Sequence, residues 1–385
     1  MDHVKIIDEY IEKMEKAQNY FLEFLENENN SEENFQNLIN FIVDFKIQEN
    51  QQDLKEFLHL LFNILNNHKR LPNFFSKIEQ IVQYVKEDIK KYFNNSEIFN
   101  IFKDDKRILL FLYEEKMFEF DEIILKKFLF NDKYEKYDYI TYFRPEIKEF
   151  LAKEQNNIND KIYVMARKKT YSGRPPIEFY DKRRIGENDN PICQIIQKDD
   201  IKEFIELIKQ KKISIQKTVI NYSRYETNSF IIEMQNRSGN ETKLIEYAAF
   251  NGSIQIFSYL KKKGVKLTSS LWNFAIHGNN ADIIHILEEN QVKPYNSFFD
   301  VFKEALKCHH NSIAKYLEEK YLKNNESKDY SQENLLIYSL KYHNYAFIKK
   351  SYINQSSLIY LYRYDYPSFV KIILEIKVDK NEIQY

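Results

Sequence analysis

Cys308, His309 and His310 stand side by side in this 385-residue chain and are its densest grouping of metal-binding side-chain types. A tetrahedral site needs about four such donors at spacings that let them converge. No C-x-x-C pair occurs, and adjacent residues at a helix end point in different directions, so His277 and His285 upstream would have to complete the set. The grouping is read as part of a turn, and no metal or cofactor is expected. Acidic pairs are the residue types for general acid–base work. Asp104-Asp105, Asp199-Asp200 and Glu288-Glu289 all fall where a helix cap or an exposed turn is expected. Glycine argues against nucleotide chemistry. There are six glycines, no two closer than 12 residues, and none in the first 172 positions. A phosphate-cradling loop needs several within about six residues, because the backbone must approach the anion. G-x-S-x-G and H-E-x-x-H are absent as well. The expectation is a protein that is not an enzyme, with an enzyme carrying an unrecognised site in the N-terminal half as a remaining alternative.

The elements that carry these residues follow from composition and periodicity. Apolar residues make up 43% of the chain and aromatics 16%, enough for a sizeable core. The 57 basic and 58 acidic side chains nearly cancel, which removes any general attraction to nucleic acid or anionic lipid. Two cysteines, Cys193 and Cys308, make no disulfide framework and fit a reducing compartment. No run of 18 apolar residues and no signal-peptide core is present, so no membrane partner is expected and the cytosol or nucleus is the expected location.

Spacings of three and four dominate throughout. Val4, Ile7, Ile11, Met14, Phe21 and Leu25 form one stripe, with Gln18 as its polar member, and predict a first amphipathic helix. Further helices are predicted from Ser31, over 53–66 and 74–93, from Ser96, and as a pair within 106–130. Strand-like alternation is nearly absent, so the fold class is all-α. Between 131 and 190 the pattern weakens, and proline and glycine punctuate it, which suggests a connector. Residues 161–184 carry a basic excess that includes Arg167, Lys168, Lys169, Arg174, Lys182, Arg183 and Arg184. A solvated loop balancing nearby acidic helices is preferred for it over a nuclear address or a nucleic-acid contact.

The strongest internal signal is a repeat. LIEYAAFNGSIQIFSYL (Leu244–Leu260) is echoed by LWNFAIHGNNADIIHIL (Leu271–Leu287) at an interval of 27 positions. With Ala248 laid on Ala275, further copies pivot on Ala305, Ile196, Ser339 and Leu361. Four residues after these pivots stand Gly252, Asn279, His309, Asp200, His343 and Asp365, types that tolerate a left-handed turn out of a helix. Each copy is a helix pair that cannot bury its faces alone and must stack.

At these residues the chain resembles an ankyrin repeat. KLIEYAAFNGSIQIFSYL places Ala248 and Ala249 on the paired alanines of T-P-L-H-x-A-A-x-x-G-H, Gly252 on its glycine, and Ser253 where histidine is usual. IGENDNPICQIIQKDDIKEFI, YETNSF and LWNFAIHGNNADIIHILEEN give 180–375 a closer similarity to the divergent ankyrin proteins of trichomonad protists, whose ankyrin-like domain has no assigned function. Thr-Pro is missing from every copy, and 27 residues replace the usual ~33, so the hairpin finger must be short or absent. The resemblance implies an α-solenoid of about six helix pairs over 191–375. A helical region over 1–130 and the connector over 131–190 precede it, and a tail over 376–385 follows. It also implies a scaffold or adaptor that holds a protein or peptide on its concave face. The columns that face inward in the family hold Tyr247, Phe250, Phe274, His277, Glu304, Lys307, Tyr338 and Lys341, with packing between first helices as the equal alternative. Trp272 is assigned to the core. The long insertion 212–242 is a second candidate contact.

Overall fold

The computed structural model describes residues 3–382 apart from 28, 134–137, 156, 172, 174, 237–240, 324–329 and 354–355. Among the described residues every regular element is a helix, and the one β contact is an isolated bridge between Val219 and Lys243. The chain is all-α. Helix starts follow cap chemistry. Asn50, Asp105 and Asp121 each accept backbone N–H bonds ahead of a helix, and Asn94 forms a capping box with Glu97. The run expected over 74–93 is broken into Phe74–Tyr84 and Lys86–Tyr92, and Ser31 is the first residue of its helix rather than the cap.

The chain forms two compact units. The central unit, Ile89–Leu267, contains the stretch read as a connector, and there the structure departs from expectation. Helices described within it include Tyr139–Tyr142, Arg144–Lys153, Asp160–Thr170 and Ile177–Ile185. Their apolar rhythm is weak because much of what they bury is amphipathic. Tyr139 and Tyr142 are fully buried, and their hydroxyls donate to the carbonyls of Lys103 and Arg183, each at 2.6 Å. The insertion 212–242 also folds here. Thr227 donates to the Gly186 carbonyl, Ser223 to Asp189, and Asn228 caps the helix Ser229–Asn236.

The terminal unit joins Met1–Asp88 to Thr268–Tyr385. Its first helix, His3–Glu26, buries Ile11, Met14, Phe21 and Leu25 as the stripe predicts. Gln18 is buried with them, because its amide is matched by Asn344 and the Tyr345 N–H. Glu56 on the helix Gln51–Asn67 accepts the N–H groups of Ser368 and Phe369 and the Tyr10 hydroxyl. It thereby caps the helix Pro367–Glu382 from a distant part of the chain.

The turn column is present in the backbone. Gly252, Asn279, His309, His343 and Asp365 have φ of 69°, 46°, 57°, 52° and 62°. In the remaining copy the left-handed residue is Asp199, at φ 50°, one position before the expected Asp200, which instead caps the helix Ile201–Gln210. The pivots share one backbone role: the carbonyls of Ala248, Ala305, Ser339 and Leu361 accept the N–H five residues later, from Ser253, His310, Asn344 and Tyr366. A second bond then ties consecutive pairs together within each unit. The side chain just past the left-handed residue donates to the carbonyl just past the previous pivot. In the central unit, where the left-handed Asp199 comes one position early, Ser253 Oγ donates to the carbonyl of the pivot Ile196 itself, at 2.5 Å. In the terminal unit His310 Nδ1 donates to Ile276 at 2.8 Å, Asn344 Nδ2 to Leu306 at 3.0 Å, and the Tyr366 hydroxyl to Leu340 at 2.8 Å. A carbonyl can only accept, so the His310 tautomer is fixed with its proton on Nδ1.

Candidate functional site

In the terminal unit the helices Leu271–Gly278 and Phe298–Lys307 bring the singled-out residues together. Ser297 caps the second helix by accepting the Asp300 N–H, and the left-handed His309 ends it. Glu304, Lys307 and Cys308 follow at three and four positions, which aligns them on one helix face. His277 reaches them from the preceding pair. Its Nε2 lies 2.7 Å from Glu304 Oε1, and Cys308 Sγ lies 3.5 Å from Nδ1 and 3.7 Å from Nε2. Lys307 Nζ pairs with the same Glu304 oxygen at 3.0 Å. Burial alone would raise the Glu304 carboxyl, but the Lys307 charge and the His277 bond outweigh it and hold Glu304 well below the usual carboxylate range. Burial also disfavours the Lys307 ammonium, yet the Glu304 charge keeps it above the ordinary lysine range. Burial, then the nearby Glu304 charge, pushes the Cys308 thiol well above its ordinary value.

Thiol, imidazole and carboxylate in this order resemble a nucleophile, its base and an orienting group. The environment opposes that use. Cys308 is fully buried and held as the neutral thiol, whereas reactive cysteines sit in exposed, thiolate-favouring surroundings. The pocket of the terminal unit lined by Gln52, Leu361, Tyr366 and Pro367 does not include Cys308, His277 or Glu304. The cluster is better suited to holding charge in place than to attacking a substrate.

The other inward-column residues divide by burial. Tyr247, Phe274 and His277 are buried, which corrects their reading as exposed contact anchors. The large side chains at these positions are consumed by packing and by hydrogen bonds: Tyr247, for example, accepts from Gln197 Nε2 at 3.2 Å. Phe250 is half-buried against Phe230 and Tyr247. Tyr338 and Lys307 are half-buried, Glu304 partly so, and Lys341 is exposed. Around Tyr338 a cation–aromatic surface forms that sequence reasoning saw only in part. Lys303 Nζ lies 4.8 Å from the Tyr338 ring centre, and Lys341 lies 6.0 Å from Tyr338 and 5.3 Å from Tyr342. Lys303 was missed because it falls outside the two aligned columns, one turn before Lys307.

Trp272 is core, as expected. It is 1% exposed, and its Nε1 donates to the Val292 carbonyl at 2.7 Å. Of the acidic pairs, Asp105 and Asp200 are helix caps, and Asp199 accepts the Gln255 and Ile256 N–H groups at the start of the distant helix Ile254–Lys262. Glu288 is neither: it accepts from Tyr316, Tyr321 and Lys320.

The basic stretch does not present one charged surface. Arg167, Lys168 and Lys169 are exposed on the last turn of Asp160–Thr170, and Arg174 lies outside the described residues. Lys182 pairs with Asp189 and Arg184 with Glu114. Arg183 is buried in a two-pronged bond to Glu146 at 2.5 and 2.8 Å, which removes it from any docking surface. Among the described residues no helix is long and apolar enough to cross a membrane.

Comparison with protein-family models, curated proteins and solved structures finds no match for this chain.

Proposed function

We propose that the chain is a non-catalytic scaffold of stacked, ankyrin-like helix pairs that holds a protein or peptide partner. The observation that carries this reading is the surface on the helices Phe298–Lys307 and Gln332–Lys341, where Tyr338 lies between Lys303 and Lys341. Lys303 and Lys307 are balanced by Asp300 and Glu304. The Lys341 ammonium lies over the Tyr338 and Tyr342 rings, and the residue is exposed. An aromatic ring flanked by cations is suited to an acidic or carbonyl-rich peptide, with the tyrosine as anchor and the lysines as rim. The recurring side-chain bond from each pair to the previous one supplies the rigidity such a face requires. Neutral overall charge and a buried thiol give no comparable support to a polyanion-binding or nucleophilic role.

A paired capture from a cell lysate tests the reading, with the full chain and its Tyr338→Ala/Lys341→Ala double variant as baits. Circular dichroism first establishes that both fold. A protein retained by the first bait and lost with the second supports the proposed face. Identical captures from both would remove the face from consideration.

A further inference from the structure

His277, Glu304 and Cys308 each bring one ligand atom to within 4.8 Å of the others. The geometry points to a divalent transition-metal site of the zinc class, with His277 Nε2, a Glu304 carboxylate oxygen and Cys308 Sγ as its three protein ligands. Imidazole, thiolate and carboxylate are donors that zinc accepts, and three of them leave a fourth position for water. Metal–ligand distances of ~2.0 Å to nitrogen or oxygen and ~2.3 Å to sulfur put tetrahedral neighbours roughly 3.3 to 3.5 Å apart. Here Oε1 is 2.7 Å from Nε2, and Sγ is 3.7 Å from Nε2 but also 3.5 Å from Nδ1, so the Cys308 side chain has to turn toward the Nε2 edge of the ring. The carboxylate therefore has to withdraw by about half an ångström, and the metal takes the place of the His277–Glu304 bond.

Two features of the surroundings bear on this. The ligand-bearing turn is held from behind: His68 Nδ1 donates to the Cys308 carbonyl at 2.8 Å, and its Nε2 pairs with Glu26 at 3.0 Å. Support of this kind fixes ligand orientation before the metal arrives. Lys307 is the competitor. Its ammonium now neutralises Glu304, but its side chain is 20% exposed and its stem is flexible, so it can turn to solvent when a cation replaces it. The site does not rest on the proposed partner face, and its readout is spectroscopic and needs no partner.

The test is titration of the full chain, stripped with a chelator, with Co(II) alone, followed by Zn(II) in competition. The expected result is one equivalent bound, with a thiolate-to-cobalt charge-transfer band in the near ultraviolet that Zn(II) abolishes. Cys308→Ser should lose the band and Cys193→Ser should keep it. His277→Gln should weaken Co(II) binding by at least ~10-fold. Lys307→Gln removes the competing cation without touching a ligand and should tighten binding; it remains informative even where Cys308→Ser fails to fold. Absence of a charge-transfer band in the wild-type chain overturns the site. So does a band that follows Cys193, or a Lys307→Gln variant that binds Co(II) no better than wild type.

Discussion

Gln18 Nε2 donates to Asn344 Oδ1 at 3.1 Å across 326 residues of sequence, and its own Oε1 accepts the Tyr345 N–H at 2.7 Å. Asn344 in turn donates to the Leu306 carbonyl, the bond that ties its helix pair to the previous one. One amide of the first helix thus satisfies polar groups of the turn at Asn344 and Tyr345. Gln18→Met keeps the volume and leaves a buried acceptor and a buried N–H without partners, each costing about 1–3 kcal/mol. The expected loss is roughly 3 kcal/mol, measured by urea denaturation. Trp272 is the only tryptophan and is buried in the terminal unit, so its fluorescence follows that unit specifically. A loss under about 0.5 kcal/mol would mean that water replaces the amide at little cost.

The left-handed turns make a sharper test, because backbone conformation alone decides the outcome. Asn279 is exposed with φ 46°. Asn279→Gly should raise stability by up to ~1 kcal/mol, since glycine adopts that region without strain. Asn279→Val should lower it by more than ~1 kcal/mol, because a β-branched side chain is most strained there. Opposite signs at one exposed position, read from the same Trp272 transition, would establish the turn. Equal losses from both variants would count against it.

In the basic stretch charge and burial separate. Arg183→Ala leaves Glu146 buried without its partner, and breaking such a pair costs about 3–5 kcal/mol. Joint neutralisation of Arg167, Lys168 and Lys169 to Gln, all exposed, should change stability by less than about 1 kcal/mol. Thermal unfolding followed by circular dichroism distinguishes the two. Arg183→Ala with unchanged unfolding would place Arg183 at the surface.

How much of this was legible depended on where the determinants sit in sequence. Helix identity and the turn column were readable because apolar spacing and left-handed residue types are local signals. Asp199 was missed by one position because it and Asp200 are chemically identical in the sequence, and only capping assigns their separate roles. Burial of the inward columns was not readable. Tyr247 and Phe274 have the same types whether they anchor a partner or fill a neighbour's groove, and that choice is made by residues far away in the chain. Gln18 shows the same limit: a polar break in an apolar stripe acquires meaning only from Asn344. The 131–190 stretch was misread because Tyr139, Tyr142 and Arg183 bury polar ends that have partners, which periodicity counts as surface.

Buried histidines should make the terminal unit sensitive to acid. Burial pushes His309 down to about 3 and holds His310 and His343 well below the ordinary value. His310 faces the His68 ring at 4.7 Å, and His343 lies between His59 at 5.7 Å and Tyr366 at 4.4 Å. The unfolded chain binds these protons from about pH 6.5 downward, while the folded chain does not. Stability is therefore full above about pH 6.5 and falls as pH drops towards the folded values, by up to ~1.4 kcal/mol per group per pH unit. Glu56 acts in the opposite direction. Burial pushes its carboxyl up to about 8 against the pull of the Ser368 and Phe369 N–H groups. Its contribution is present below about pH 4.5 and is lost as pH rises through 8, so acidification from pH 7.5 to 5.5 stabilises through Glu56 while the histidines destabilise. Glu56→Gln keeps the shape and removes that opposing slope. Urea midpoints of the Trp272 transition at pH 7.5, 6.5 and 5.5 should fall more steeply for Glu56→Gln than for wild type. Parallel slopes would show that Glu56 stays ionised throughout, its three donors outweighing its burial. A flat profile in the Glu56→Gln background would show that the histidines titrate alike in the folded and unfolded chain.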